Sequence, residues 1–327
     1  MNGTLQASGA RELLARMQRQ RVLVVGDLML DEWVWGHVSR ISPEAPVPVV
    51  AVTEHSFTLG GAGNVASNLR AIGASVTFAG VVGDDAEGAR LLTLLDAIDV
   101  DRRATVRLAD RPTTRKTRIV AHNQQVVRAD WESSAPLAAA DRERLLRLVA
   151  EGAGGFDAVV LSDYAKGLFS QELVTALRSL APVVTADPKP ANLDLFADLT
   201  CVAPNAFEAE TASGIRITDY ASLDAAGAAL LARLRCRYVV ITRGERGMAL
   251  FGARGERLRI ASVARTVFDV SGAGDTVIAT LTLALAAGAP IELAVELANF
   301  AAGTVVEKLG TATATPAEIV AFIGTVR

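Results

Sequence analysis

Short apolar runs recur along the chain, separated by segments with helical periodicity. The first run, Arg21–Leu30, reaches Gly26-Asp27 without a polar break, which is typical of a strand buried on both faces. Further strand-like runs are Val76–Val82, Ala158–Ser162, Val183–Asp187, Thr200–Pro204 and Tyr238–Thr242, and helix-like segments between them include Ala86–Ile98, Arg142–Glu151 and Leu223–Leu234. This alternation predicts an α/β three-layer sandwich, with a mostly parallel central sheet covered by helices on both faces.

Two segments depart from this pattern, roughly residues 32–57 and 105–131. The first contains three prolines, and the second alternates polar and apolar residues, as strands do when one face meets water. We expect a small β-strand lid inserted into a single domain that spans residues 1–327. Exposed lid strands offer edges that a second copy can cover, so we also expect a homodimer through the lid.

Composition removes several classes of function. Half of the 327 residues are hydrophobic, 21% are charged and the net charge is -3, which argues against disorder and against binding to nucleic acid. Two cysteines without a CxxC pair fit a cytoplasmic protein, and three scattered histidines give no transition-metal site.

No segment predicts a role at the membrane. The first twenty residues lack the apolar core of a secretory signal. The long apolar stretch Thr276–Val306 is interrupted by Gly288 and Pro290, which predicts two buried helices instead of a membrane span.

The segment Asp269–Asp275 (DVSGAGD) carries the strongest chemical signal, since it precedes a long apolar helical run. A turn that opens a helix leaves backbone N–H groups free to bind an anion, so Gly272, Ala273 and Gly274 are candidates to hold a transferring phosphoryl group. Asp275 is a candidate catalytic base beside them. The residues alone leave open that Asp275 only caps the helix.

A second glycine-rich segment, Leu59–Asn68, contains the Gly61-x-Gly63-x-x-Ala66 spacing of a dinucleotide fingerprint. An oxidoreductase is therefore a rival interpretation. The preceding residues alternate with charged ones and lack the buried strand that should lead into such a turn, and a plain tight turn into a helix also remains open.

Two later turns follow buried strands. Asn205 and Glu208 have the spacing of a capping box, and structural capping is sufficient to explain them on residue evidence alone. The turn Ile241–Gly247 contains two glycines, which permit a close approach of backbone to a nucleotide. A Walker Gly-x-x-x-x-Gly-Lys-Ser/Thr segment is absent from the sequence, which excludes P-loop kinases.

These segments together resemble the ribokinase (PfkB) family of carbohydrate kinases over nearly the whole chain. DVSGAGD is similar to the second signature of that family, with Val270 where the family often has Thr, and the matching aspartate there is the catalytic base. The resemblance implies ATP and Mg²⁺ as cofactors. It implies that Asn205, Glu208, Thr242, Gly244, Lys189 and Asn299 bind the nucleotide, with Glu208 as the residue that organises the metal.

The sugar side follows in the same way. The resemblance places Gly60, Gly61 and Asn64 against the sugar, and it gives Asp187 a ligand role. Asp27 and Asp31 leave the carboxyl end of the first strand, where ligands bind in open α/β sheets, so we expect them to bind sugar hydroxyls. Cations that would hold a phosphate on the substrate are Arg118 and Lys166, with Arg115 and Lys116 in the same lid cluster.

Further segments narrow the resemblance to members of the family that phosphorylate the anomeric hydroxyl of a sugar phosphate. They are Gly26–Asp31, Ser39–Val49, Leu161–Gly167 and Asp187–Lys189. In many bacteria such a kinase is fused to an adenylyltransferase domain; this chain ends at Arg327, and we expect the stand-alone form. The alternatives are another sugar kinase, such as a fructokinase or a ribokinase, or a non-catalytic sugar or nucleotide sensor.

Overall fold

A computed structural model describes residues 5–122, 124–152 and 155–326. In chain order its strands are β1 (Arg21–Gly26), β2 (Leu28–Ile41), β3 (Pro48–Gly61), β4 (Ser75–Gly83), β5 (Asp101–Leu108), β6 (Arg115–Ala121), β7 (Gln124–Trp131), β8 (Ala158–Ser162), β9 (Val183–Asp187), β10 (Cys201–Val202), β11 (Tyr238–Thr242), β12 (Met248–Gly252) and β13 (Arg257–Ile260). Its α-helices are α1 (Ala7–Met17), α2 (Ala62–Ile72), α3 (Ala86–Ala97), α4 (Ala139–Gly152), α5 (Gln171–Arg178), α6 (Ala206–Ser213), α7 (Tyr220–Leu234), α8 (Ala273–Ala286), α9 (Ile291–Val306) and α10 (Pro316–Val326). Short 3₁₀ helices cover Pro190–Phe196 and Gly244–Arg246.

The strands of the described residues form two sheets. The large sheet has the order β13-β12-β11-β10-β9-β8-β1-β4-β5 and is parallel from β11 to β5, with β12 and β13 antiparallel at one edge. The predicted sandwich is therefore confirmed. The predicted strand Thr200–Pro204 is shorter than expected, since only two residues of it pair as β10.

Helices cover both faces of the large sheet, as the continuous apolar runs require. In β1, Val22 and Val24 belong to one hydrophobic cluster, and Leu23 and Val25 belong to the other. Successive side chains of a strand point to opposite faces, so a central strand needs apolar residues at every position. The predicted pair of buried helices is observed as α8 and α9, joined at Gly288 and Pro290.

The second sheet, with the order β3-β2-β6-β7, is called the lid below. Its predicted second segment began too early, because Thr105 lies in β5, which pairs with β4 in the large sheet. The alternation in Thr105–Leu108 arises at a sheet edge that is half covered by helices. Residue 123, inside the same prediction, lies outside the described residues.

The two sheets are joined where β1 ends. Only Asp27 separates β1 from the lid strand β2, and lid strand β3 runs directly into α2 at Gly61. The amide of Ala62 donates to the carbonyl of Asp27 at 3.0 Å, which fixes the two connections side by side. Among the described residues, we find no helix that combines the length and the apolar character needed to cross a membrane.

Candidate active site

Asp275 lies in the first turn of α8, on the floor of a cavity of about 140 Å³. Its side chain is buried, and each carboxylate oxygen has a donor: the Asn64 amide donates to Oδ2 at 2.7 Å, and the Tyr164 hydroxyl donates to Oδ1 at 2.9 Å. Burial raises the pKa of Asp275 to about 6, and the two hydrogen bonds and the Lys189 charge oppose that rise. Most of this carboxylate is therefore ionised at neutral pH.

The turn before Asp275 is built around Gly272. This residue has a left-handed φ of 78°, and a Cβ there would collide with the Asn64 amide nitrogen. Gly272 and Gly274 line the cavity. The amide of Ala273 already donates to the carbonyl of Val270 at 3.2 Å, so of the three predicted anion donors it is the one with a competing partner.

Asn64 is held from behind by a buried polar network. Asn68 donates to the Asn64 backbone carbonyl at 2.9 Å, and the Thr276 hydroxyl donates to Asn68 at 2.8 Å. This network joins α2 to α8 beside the carboxylate. Asn64, predicted to bind a sugar hydroxyl, therefore also orients Asp275.

Tyr164 was not among the predicted site residues, although it lies inside Leu161–Gly167, one of the segments that carry the resemblance. Its backbone amide donates to Asp27 Oδ2 at 2.8 Å, and so does the amide of Lys166 at 3.2 Å. Burial, followed by the nearby Asp275 charge, raises the pKa of the Tyr164 phenol well above its usual value, so it stays a donor. No local pattern marks Tyr164, since only the tertiary fold brings this loop to Asp275.

Asp27 lies at the carboxyl end of β1, as predicted, and its carboxylate binds the neighbouring loop. Its Oδ2 receives the two loop amides, and burial raises its pKa to about 6 despite them. The residue therefore supports the loop that carries Tyr164. Its role as a hydroxyl ligand stays a prediction. Asp163 supports the same loop from the other side, since it accepts the amides of Ala165 and Lys189 at 2.8 and 3.0 Å.

Four of the six nucleotide candidates line the same cavity as Asp275. Asn205 and Glu208 form the capping box of α6, and the Lys189 ammonium donates to Glu208 Oε1 at 2.6 Å. Thr242 lines the cavity and its amide donates to the carbonyl of Pro204 at 3.0 Å. The capping interpretation is confirmed, and it leaves these side chains facing the same space as Asp275.

Asp187 is the most perturbed carboxyl group of the cavity. Burial raises its pKa to about 8, with the neighbouring Glu208 and Asp275 charges adding to the rise and Lys189 opposing it. For Lys189, burial alone would lower the pKa, but Asp187 and Glu208 outweigh it and raise the value. A cation that binds here would lower the pKa of Asp187, and a phosphate anion would raise it.

Three of the sugar candidates lie close together on the lid. Asp31 on β2 is paired in register with Lys116 on β6, and Trp33 is paired with Arg118. Arg118 donates to Asp31 Oδ1 at 2.6 Å, and a Cβ on Gly60 would collide with Asp31 Oδ2. The predicted residues Asp31, Gly60 and Arg118 are thus brought together, with Arg118 held by the carboxylate.

The other two lid cations, Arg115 and Lys116, lie on opposite faces of the lid. Arg115 points to the opposite side of the lid, where it contacts Glu87 at 2.7 Å and stacks on Trp131. It is therefore removed from the predicted phosphate-binding cluster. Lys116 stays on the Asp31 face.

Three predicted residues are not part of the cavity lining. Gly61 has a left-handed φ of 56° and forms the junction of β3 and α2. Gly244 begins a 3₁₀ helix with open space where a side chain would be. Asn299 is buried and donates to the carbonyl of Ala261 at 2.8 Å, and its contact with an adenine stays a prediction.

The glycine-rich segment at Leu59–Asn68 does not fit a dinucleotide site. The strand before it, β3, belongs to the lid sheet, whereas the fingerprint requires a strand of the parallel sheet that leads into the helix. The cavity instead combines a buried carboxylate, the start of a helix and a lysine, groups that phosphoryl transfer can use.

A model of the pfkB family of carbohydrate kinases matches residues 19–318. The chain belongs to this family. Its fold agrees, since Arabidopsis thaliana ribokinase complexed with ribose and ATP superimposes with a TM-score of 0.75 at 19% identity, over 93% of this chain and 99% of that one. Phosphofructokinase-2 from Escherichia coli in complex with substrates and products gives 0.78 at 20% identity, over 94% and 99%.

More similar sequences share one name. A protein of Trichlorobacter lovleyi named bifunctional protein HldE is 46% identical over 95% of this chain and 64% of its own length. A protein of the same name from Geobacter metallireducens is 45% identical over 98% of this chain and 66% of its own. The chain thus spans slightly less than two thirds of the length of these relatives.

Proposed function

We propose that this pfkB-family chain is an ATP-dependent kinase that phosphorylates D-glycero-β-D-manno-heptose 7-phosphate at its anomeric hydroxyl. The product is the 1,7-bisphosphate, an intermediate of ADP-heptose and lipopolysaccharide core synthesis. The observation that carries the proposal is the buried Asp275, held by two donors beside the start of α8.

The choice of substrate is supported by sequence. The segments Gly26–Asp31, Ser39–Val49, Leu161–Gly167 and Asp187–Lys189 resemble heptose-7-phosphate kinase. Three of these segments supply groups around the site, since Asp27 and Asp31 lie in the first, Tyr164 and Lys166 in the third and Lys189 in the fourth. The identity of 45–46% with proteins named HldE, over nearly the whole chain, supports the same choice.

In the proposed reaction the anomeric hydroxyl lies beside Asp275, with Asp31 and Asn64 as hydroxyl ligands. Asp275 accepts the hydroxyl proton as the sugar oxygen forms its bond to the γ-phosphorus of ATP and the bond from that phosphorus to the ADP oxygen breaks. The amides of Gly272 and Gly274 and the start of α8 lie where they would stabilise the negative charge of the transferring group. Lys189 lies across the cavity as a cation for the ATP phosphates.

Magnesium fits the residues present if it is held mainly through water. Asp187 and Glu208 offer hard oxygen donors in one cavity, but both Glu208 oxygens already accept hydrogen bonds, from Lys189 and from the Asn205 amide. Glu208, with Asp187 near it, would hold the ion through water. When bound, the ion would neutralise charge on the ATP phosphates.

We further propose a cytoplasmic homodimer joined through the lid. Ile41, Val52 and Val127 are large apolar residues of lid strands that are exposed in the single chain, and β3 and β7 are the edge strands of that sheet. A monomeric mass by light scattering at micromolar concentration would refute the dimer.

The proposal is tested by measuring ADP release with Mg-ATP on heptose 7-phosphate, fructose 6-phosphate, fructose and ribose, with phosphorus NMR of each product. A new anomeric phosphate on heptose 7-phosphate alone is the expected result. Turnover of another sugar would replace the substrate and keep the kinase. Nucleotide binding without any turnover would instead favour a sensor.

A further inference from the structure

Two lysines from different parts of the fold meet at one carboxylate. Lys116 extends from lid strand β6, and Lys166 follows β8 of the large sheet. Their ammonium groups lie 3.3 Å and 2.8 Å from Glu132 Oε2. Glu132 follows the last lid strand, β7, so the three residues bridge the lid and the domain that carries Asp275.

The lysines are more enclosed than the carboxylate between them. Their side chains are 16% and 18% exposed, whereas that of Glu132 is 34% exposed. The Lys166 hydrogen bond and both lysine charges lower the pKa of Glu132, so it is an anion at neutral pH. An anion held by two fixed cations, and itself more open to solvent, is the partner that a stronger anion can replace.

The pair lies next to the sugar-side residues. Lys116 is the register partner of Asp31 and shares its face of the lid. Lys166 is two residues from Tyr164, and the amides of both donate to the same Asp27 oxygen. A sugar that presents its hydroxyl to Asp275 and passes Asp31 would therefore bring its far end towards the two lysines.

We propose that Lys116 and Lys166 form the subsite for the phosphate already on the sugar, and that this phosphate replaces the carboxylate of Glu132. The inference rests on the proposed function, since it requires a sugar phosphate as the acceptor. A phosphate has more acceptor oxygens and more charge than a carboxylate, so it can bond both ammonium groups at once. In the absence of substrate, Glu132 keeps the two cations together.

The charges on this face are consistent with the exchange. Arg118 is engaged by Asp31 at 2.6 Å, and Arg128 by Asp130 at 2.9 Å. Lys116 also contacts Asp130 at 3.0 Å, and it keeps that neighbour when Glu132 moves away. Lys116 and Lys166 are therefore the cations that release of a single carboxylate makes available together.

The first test measures the KM of a turned-over sugar phosphate for Lys116→Met, Lys166→Met and Glu132→Gln. Each lysine variant should raise that KM about tenfold or more, because a charged hydrogen bond is lost, and should leave the KM for ATP within about twofold. Glu132→Gln should lower it about threefold, because the competing charge is removed while the side-chain shape is kept. Arg178→Met is the control, since Arg178 pairs with Asp198 at 3.0 Å before the start of β10, at the amino end of the parallel strands, and should change neither KM.

A purely structural salt bridge predicts the opposite sign for Glu132→Gln, with weaker sugar binding and a lower thermal midpoint. That result, or an unchanged KM in Lys166→Met, would overturn the subsite. The second test separates this failure from failure of the proposed function, because it needs no turnover. Inorganic phosphate is titrated against thermal unfolding of the full chain; protection that increases in Glu132→Gln and disappears in Lys166→Met supports the subsite, and protection equal in all variants refutes it.

Discussion

The hydrogen bond from Tyr164 to Asp275 gives a prediction that depends on pH. Replacing Tyr164 with Phe removes the donor to Oδ1 and keeps the ring and the Asn64 donor to Oδ2. Both donors stabilise the ionised carboxylate, so losing one raises the pKa of Asp275 above its value of about 6. Because the base must be ionised, the acidic limb of activity should move to higher pH.

The size of the shift follows from the bond. A hydrogen bond to a charged group contributes about 1.5–3 kcal/mol, and one pKa unit corresponds to about 1.4 kcal/mol, so the lower end of that range gives a rise of about one unit. At pH 6 about half of the wild-type carboxyl is ionised, against about a tenth in the variant, whereas at pH 8.5 both are almost fully ionised. The variant should therefore retain about a fifth of wild-type kcat/KM at pH 6 and nearly all of it at pH 8.5.

The assay is kcat/KM for ADP release, quantified in quenched samples between pH 5 and 9, since this parameter reports the free enzyme. Tyr238→Phe, at a buried tyrosine in β11, is the matched control and should leave the profile unchanged. A Tyr164→Phe activity that is reduced by one constant factor at every pH would show that the phenol does not support the ionised base.

Three further changes test the site. Asp275→Asn should lower kcat about a hundredfold or more while nucleotide binding persists, and a loss under about tenfold in a folded variant would contradict its role as base. Asp187→Asn should stabilise the nucleotide-free protein at pH 8 by roughly 3 °C or more and much less at pH 4.5, since a raised folded pKa gives stability that is lost as pH rises towards about 8; equal unfolding midpoints for variant and wild type at pH 8 would refute this. Gly60→Ala should raise KM for the sugar and spare KM for ATP, because a Cβ there collides with Asp31.

Much of the fold was predictable because buried parallel strands leave a simple pattern. The runs at Ala158–Ser162, Val183–Asp187 and Tyr238–Thr242 match β8, β9 and β11 residue for residue. The lid was harder to delimit, since Thr105 lies on an edge strand whose alternation resembles that of a water-facing sheet. Alternation reports exposure, and it does not say to which sheet a strand belongs.

The sequence motifs of the candidate site could be predicted, but the residues that hold them in place through long-range contacts could not. A glycine turn and a carboxylate at the start of a helix leave a local pattern, and the two residues predicted from it, Gly272 and Asp275, line one cavity. Tyr164 reaches Asp275 across 111 positions, and Arg118 reaches Asp31 across 87. Such pairs are set by strand register and loop packing, which a single sequence does not reveal.

The junction at Asp27 and Gly61 also determines where the lid can accept an inserted residue. Lid strand β2 begins there and lid strand β3 ends there, within one residue of β1 and α2. Residues 42–47, which join β2 to β3 at the far end of the lid, are mostly exposed. An insertion at that tip would alter the reach of the lid and leave Asp31 in register, whereas one added residue at the junction would turn Asp31 to the other face of the sheet.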